Sequence, residues 1–140
     1  IDENNIFKYE LKAKDNTNFY SLAIYNTIPF LTVIYEKEAF KNIRFPYLVK
    51  RNDYAFLLEI FYSRKDISGH SIRKSLAKYR SNTYGLSNGI FSILFHYYSA
   101  LKKSGRKDHI TSIFLTFLYF VISILKKAMP SLYNFIISRI

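Results

Sequence analysis

Two long uncharged stretches constrain this chain more than any other feature of its sequence. Residues 86–101 and 110–125 contain no Asp, Glu, Lys or Arg, and a short basic segment, KKSGRKDH, joins them. Each stretch of 16 residues would form a helix about 24 Å long at ~1.5 Å per residue, shorter than the ~30 Å hydrocarbon core of a bilayer. The sequence therefore predicts an apolar helical hairpin (86–125), either in a domain core or embedded in a membrane.

The ends of the predicted hairpin favour the core of a soluble domain. Lys102 and Lys103 precede Gly105, a pattern typical of a helix C-terminus, and Asp108 is a suitable N-cap for the second helix. Cations also precede the first helix and follow the second. The charge asymmetry that orients membrane proteins is therefore missing.

The second helix carries a thin polar stripe. Ser112, Thr116, Tyr119 and Ser123 recur at intervals of four, three and four residues, which places them on one helical face. The remaining positions are almost all Ile, Phe, Leu and Val. This pattern is typical of a core helix with one polar stripe, or of a membrane helix with small residues at a packing face.

Composition indicates a folded chain and excludes several kinds of chemistry. The length of 140 residues suits one domain, and a hydrophobic content of 49% is far from that of a disordered chain. There is no cysteine, which excludes disulfides, thiolate nucleophiles and cysteine-based metal sites. The sequence also lacks the common nucleotide-binding, serine-hydrolase and zinc-protease motifs.

The net charge of +11 is confined to the second part of the chain. Residues 1–62 hold eight Lys/Arg and eight Asp/Glu, whereas residues 63–140 hold thirteen Lys/Arg and two acidic residues. Such an asymmetry predicts a polyanionic partner, either nucleic acid or an anionic membrane surface. A basic face that only maintains solubility is the alternative.

The predicted fold class is α+β, as a single domain over residues 1–140. Period-two alternation and short turns in residues 5–62 predict an antiparallel sheet of about five strands. The apolar run at 54–62 would be its central strand. Residues 63–140 would form a basic helix, the apolar hairpin and a short C-terminal helix over 131–140, all covering one face of the sheet.

The basic helix is predicted over residues 71–80, with Ser71 as its N-cap. Ile72, Leu76 and Tyr79 would form an apolar underside, and the Lys and Arg side chains would occupy the opposite half.

The first functional hypothesis is a non-catalytic module that binds RNA or joins a larger ribonucleoprotein assembly inside the cell or an organelle. Lys and Arg would bind phosphates, and tyrosines would stack on unpaired bases. The predicted contact residues are Arg64, Lys65, Arg73, Lys74, Lys78, Tyr79, Arg80, Tyr84, Lys102, Lys103, Arg106 and Lys107.

Two other functional classes remain open. One is a small membrane-associated subunit, with 86–125 embedded or lying in the interface and its basic ends contacting lipid headgroups. The other is a nuclease that uses His70 or Glu59. We predict no cofactor and no metal site, because the three histidines show no spacing typical of zinc ligands. His96 is interpreted as a core histidine and His109 as a residue at a helix start.

Overall fold

The chain folds around helices rather than around a sheet. A computed structural model describes residues 14–72, 74–78, 89–104 and 108–129. Four α-helices occur in these ranges: α1 (Phe19–Ile24), α2 (Asn52–Ser63), α3 (Ile90–Lys103) and α4 (His109–Ala128). Short 3-10 turns lie at Phe30–Thr32 and Glu38–Phe40. The described residues contain no β-strand, so the predicted α+β class and its five-stranded antiparallel sheet are wrong.

Helix α2 forms the centre of the core, where the sequence predicted a central strand. Seven of its twelve residues are buried, and they lie on every side of the helix. A short, continuously apolar run does not distinguish a buried strand from a buried helix by period alone. Ala, Leu and Glu within the run are strong helix formers, and Asp53 lies in the first turn, where a negative charge stabilises the helix dipole.

Helix α1 begins at a capping box formed by Asn18 and Ser21. The Asn18 side chain accepts a hydrogen bond from the Ser21 backbone N–H at 3.0 Å. The Ser21 hydroxyl accepts one in return from the Asn18 N–H at 3.1 Å. Both groups are needed because the first N–H groups of a helix lack partners within it. This cap makes residues 19–24 a helix instead of the predicted strand.

The loop between α1 and α2 replaces two of the predicted strands and packs through aromatic rings. The Phe45 ring stacks on Phe56 of α2, with 4.2 Å between ring centroids. Phe30 and Tyr35 contact the same Phe56 ring, at 6.4 Å and 5.5 Å. These aromatic contacts bury apolar surface without the hydrogen-bonded ladder of a sheet.

The four helices form a closed ring of contacts. Helix α1 packs on α2 and α4, and α3 packs on the other sides of α2 and α4. The predicted hairpin is present as α3 and α4, and Asp108 caps α4 by accepting from the Thr111 N–H at 2.8 Å. One side of the hairpin therefore faces the core, and the other faces away from it. The predictions for residues 6–13 and 131–140 lie outside the described residues.

Candidate functional site

Six of the twelve predicted nucleic-acid contacts lie in the described part of the chain. Arg64, Lys65, Lys74, Lys78 and Lys103 are exposed, whereas Lys102 is half-buried in the last turn of α3. The other six lie outside the described residues: Arg73, Tyr79, Arg80, Tyr84, Arg106 and Lys107.

The helix predicted over residues 71–80, which would carry four of these cations, is absent from the described residues of that range. Residues 71, 72 and 74–78 are not helical. Ser71 does not cap a helix, because its hydroxyl donates to the Asp15 carboxylate. Ile72 and Leu76, predicted to form a buried underside, are 61% and 55% exposed. Without core contacts, a short helix gains too little from its own hydrogen bonds to be stable.

Arg64 has an acidic neighbour that the sequence analysis did not consider. Its guanidinium donates two hydrogen bonds to the Asp66 carboxylate, at 3.0 Å and 2.9 Å. The hydrogen bonds from Arg64 hold the pKa of Asp66 below its usual range, and those to Asp66 raise the pKa of Arg64. The pair is exposed to solvent, so it contributes little to stability. It does partly neutralise Arg64 as a phosphate contact.

The most unusual surface lies on the outer side of the hairpin. Every exposed residue of α4 between Ile110 and Leu125 is apolar. Phe91 of α3 is 85% exposed and Ile110 of α4 is 80% exposed. We call this surface the apolar hairpin face; its exposed residues are Ile90, Phe91, Phe95, Ile110, Ile113, Phe114, Phe117 and Ile124. A surface helix of a globular protein normally presents polar residues outward, and a contiguous apolar patch marks an interaction site.

The serine and threonine hydroxyls of the polar stripe bond within α4. Ser112 is fully buried, and its hydroxyl donates to the Asp108 carbonyl at 2.8 Å. Thr116 and Ser123 donate in the same way to the carbonyls four residues earlier, each at 2.7 Å. These side chains satisfy their own hydrogen bonds within the helix and need no water. Helix α4 thus buries Ser112 and satisfies the hydroxyls of Thr116 and Ser123 internally, while its exposed positions from Ile110 to Leu125 are all apolar.

An open apolar groove of about 370 Å³ runs between α3 and α4 on this side. It is lined by three residues of α3 and four of α4, namely Leu94, Phe95, Tyr98, Ile113, Thr116, Phe117 and Phe120. Phe95, Ile113 and Phe117 also belong to the apolar hairpin face. The groove is therefore part of the same surface.

Polar groups collect where this groove approaches the basic segment. The Tyr98 hydroxyl lies 2.8 Å from Nδ1 of His109, the first residue of α4. Lys102 and Lys103 follow about one turn beyond Tyr98 on α3. The apolar groove thus has a polar, basic end. The prediction that His109 lies at a helix start is confirmed.

A second cluster, of tyrosines around one arginine, joins the four helices. The Tyr97 ring stacks between Tyr54 and Tyr119, with ring centroids 5.3 Å and 4.1 Å away. The Arg51 guanidinium donates to the Tyr119 hydroxyl at 3.1 Å and lies 5.4–5.9 Å from the three ring centroids. Such positions allow cation–π attraction. Arg51 has a left-handed backbone (φ 60°) at the start of α2.

The buried hydroxyls of this cluster donate hydrogen bonds to the last carbonyl groups of α1. Tyr54 donates to the Leu22 carbonyl at 2.8 Å, and Tyr97 donates to the Ala23 carbonyl. Burial raises the pKa of both Tyr54 and Tyr97 above the usual tyrosine value. The cluster has a structural role, because its hydroxyl and guanidinium groups form hydrogen bonds between helices. Sequence reasoning missed it because its members are up to 68 positions apart.

The residues considered for catalysis do not form a metal centre in the described part of the chain. Glu59 lies on α2 and not in a strand; Oε1 accepts from the Ser63 hydroxyl at 3.3 Å, while buried Oε2 has no described hydrogen-bond partner. His70 pairs with the Ser68 hydroxyl at 2.9 Å. No group of three or more His, Asp or Glu residues that could hold a metal ion occurs among the described residues. His96 is half-buried, with its ring edge-on to Phe95.

Sequence reasoning found the hairpin but not its exposed face. Ile110, Ile113, Phe114, Phe117 and Ile124 follow the helical period of three and four. That period was a readable signal, but it does not reveal which side of a helix faces the core. Among the described residues, no helix combines the length and hydropathy required to cross a bilayer. No family model matches the chain, and neither a curated protein nor a solved structure is similar enough to match it.

Proposed function

We propose that this chain associates peripherally with anionic membranes through the apolar hairpin face. The observation that carries the proposal is the orientation of α4, whose exposed residues from Ile110 to Leu125 are all apolar. Transfer of the exposed apolar side chains of α4 from water to the acyl boundary of a bilayer is favourable. The other side of α4 packs on α1 and α3, so the hairpin lies in the plane of the interface.

The charge of the chain fits the same partner. All of the net +11 falls in residues 63–140, which include the hairpin. Lys103 is exposed at the elbow end of α3, and a cation near an anionic leaflet contributes roughly 1 kcal/mol. An apolar surface beside basic residues is the pattern of interfacial helices that prefer anionic lipids.

The test is flotation of the full chain with vesicles of phosphatidylcholine, with and without phosphatidylglycerol. We expect co-flotation with the anionic vesicles and weaker binding to the neutral ones. The double variant Phe91→Ser/Ile110→Ser should lower the partition coefficient about tenfold or more, since each apolar side chain contributes roughly 1.5 kcal/mol or more when buried.

A matched control separates this surface from general hydrophobicity. Tyr47 and Val49 are 99% and 84% exposed but lie in the loop before α2. The double variant Tyr47→Ser/Val49→Ser should float like the unaltered chain. Equal loss in both double variants, or no loss in the hairpin variant, would contradict the proposal.

Nucleic-acid binding is a second candidate, and the exposure of Lys65, Lys74 and Lys78 favours it. These side chains project from an open segment and can contact phosphates, whose binding weakens steeply with salt. This candidate leaves the apolar hairpin face without a role, which is why we place it second. Its test is the affinity for a labelled single-stranded RNA across a salt series. An affinity that is absent at low salt would exclude it.

A further inference from the structure

We propose that the groove between α3 and α4 holds one acyl chain of an anionic membrane lipid, with the headgroup at the elbow end beside Lys103. The inference rests on the proposed membrane association and deepens it by naming a defined lipid site within the apolar hairpin face. It adds one lipid site of fixed position to a surface that would otherwise contact lipids at no defined position.

The chemistry of the groove selects an apolar ligand. Its lining offers almost no polar surface, and its volume of about 370 Å³ is that of a small ligand site. The Thr116 hydroxyl already donates to the Ser112 carbonyl at 2.7 Å. A polar ligand group placed midway along the groove would lose its bonds to water without replacement, which is unfavourable. A hydrocarbon chain has no such groups.

The two ends of the groove differ, and this difference selects an amphiphile. At the elbow end, the Tyr98 hydroxyl and His109 Nδ1 form a polar pair at 2.8 Å. Lys102 and Lys103 lie in the last turn of α3, about one turn beyond Tyr98. An anionic headgroup at this end can interact with cations that keep their alkyl stems along the apolar surface. No charged residue lines the groove itself, so the cations contribute only from beyond its elbow end, where the Tyr98 hydroxyl is the polar lining group.

Charge also argues against a second copy of this chain as the occupant. Two copies would each bring a net charge of +11, and like charges oppose close approach of the two surfaces. An anionic lipid instead complements the basic end of the groove. A second copy, or a different protein, is therefore treated as an outcome of the test.

The experiment uses the full chain bound to vesicles that contain phosphatidylglycerol with a photoactivatable diazirine in mid-chain. After irradiation, mass spectrometry of the digested protein locates the labelled residues. We expect labelling to concentrate on groove residues such as Leu94, Thr116 and Phe120. Equal labelling of Phe91, Ile110 and Ile124 would overturn the inference, because it would mean that the face contacts lipid without a defined site. Absence of groove labelling, together with a dimer trapped by a separate amine-reactive cross-linker on the same vesicles, would also overturn it.

Two tryptophan variants supply the matched comparison. Thr116→Trp places a bulky ring inside the groove, whereas Val49→Trp places the same ring on the loop before α2, where Val49 is 84% exposed. We expect Thr116→Trp to lower labelling of the groove about tenfold while flotation is retained, and Val49→Trp to change neither. Circular dichroism checks that each variant folds. If Thr116→Trp does not fold, the labelling map of the unaltered chain alone decides.

The same design separates failure of this inference from failure of the membrane proposal. If the chain does not float with any vesicle, peripheral membrane association is wrong. The groove is then tested with dodecyl phosphate below its micelle concentration. Binding of this probe that Thr116→Trp removes and Val49→Trp retains would uphold the groove site alone. Absence of such binding would exclude it.

Discussion

At the scale of single residues, two buried tyrosine hydroxyls replace water at the end of a helix. The last carbonyls of any α-helix lack partners within the helix. In α1, these groups belong to Leu22 and Ala23, and the hydroxyls of Tyr54 and Tyr97 satisfy them. Helices α2 and α3 are thereby fixed to the end of α1 by directional bonds as well as by apolar contact.

Replacing Tyr97 by phenylalanine tests this bond. The ring and its stacking on Tyr119 remain, but the buried Ala23 carbonyl loses its donor. We expect Tyr97→Phe to lower the free energy of unfolding by about 1–3 kcal/mol, the penalty for an unsatisfied buried polar group. Urea denaturation followed by circular dichroism measures the change. Tyr47→Phe is the control, because Tyr47 is 99% exposed; an equal loss there would refute the explanation.

The same two tyrosines predict a limit to stability at alkaline pH. Burial raises the pKa of Tyr54 and Tyr97 in the folded chain above the ordinary value of 10.0. Above pH 10 the unfolded chain therefore releases protons that the folded chain retains, and stability falls as pH rises. We expect the urea midpoint to be insensitive to these groups below pH 9 to 10 and to drop above about pH 10. Tyr97→Phe should weaken this dependence; an unchanged slope would contradict the assignment.

Single residues were predictable where the signal is local and were missed where it is long-range. Asp108 was identified as the N-cap of α4 because an N-cap depends on its immediate neighbours. Arg51 has no comparable local signal, since its partner Tyr119 is 68 positions away. Only the assembled helices bring these side chains together, so no spacing rule within the sequence reveals the tyrosine–arginine cluster.

At the scale of elements, the N-cap at Asp108 fixes where α4, the second helix of the hairpin, begins. The Asp108 side chain binds the Thr111 N–H, and the Asp108 carbonyl accepts the Ser112 hydroxyl. We expect Asp108→Ala to lower the free energy of unfolding by about 0.5–2 kcal/mol, and Asp108→Asn to retain most of the stability, because asparagine caps equally well. Thermal unfolding of both variants measures the difference. Equal destabilisation by the two would indicate that the charge, and not the cap, is important.

Elements were predictable by position but not always by type. The hairpin was identified correctly because two uncharged runs flanked by helix-ending residues are too long for ordinary strands. Residues 19–24 and 54–62 were predicted as strands because their apolar runs are short. Helix α2 is buried on all sides, so it lacks the amphipathic period that would have identified it as a helix. Position in the core was predicted correctly for α2; its backbone conformation was not.

At the scale of the whole molecule, the net positive charge and the apolar hairpin face lie in the same part of the chain. The sequence showed that all of the net charge lies in residues 63–140. It did not show which apolar side chains of α4 point away from the core, since that depends on which side of the helix packs against α1 and α3. A soluble core-building hairpin and an interfacial hairpin have the same sequence pattern. Three-dimensional packing is what distinguishes them.

A pair of single-lysine variants distinguishes the two proposed partners. Lys103 is exposed beside the hairpin and Lys78 is exposed in the open segment after α2. If the hairpin meets the membrane, Lys103→Gln should weaken binding to anionic vesicles about fivefold, the equivalent of roughly 1 kcal/mol per cation near the surface. Lys78→Gln carries the same change of charge and should leave vesicle binding nearly unaltered.

The reverse pattern is expected for nucleic-acid binding. If Lys78 contacts an RNA phosphate, Lys78→Gln should reduce the slope of log affinity against log salt by about 0.7, the value for one phosphate on a single strand. A change of net charge alone would affect both lysine variants equally with either partner. Equal effects on vesicle flotation would therefore contradict a localised membrane contact at the hairpin. An effect of Lys103→Gln on vesicles together with no effect of Lys78→Gln on RNA would leave the apolar hairpin face as the functional surface of the described chain.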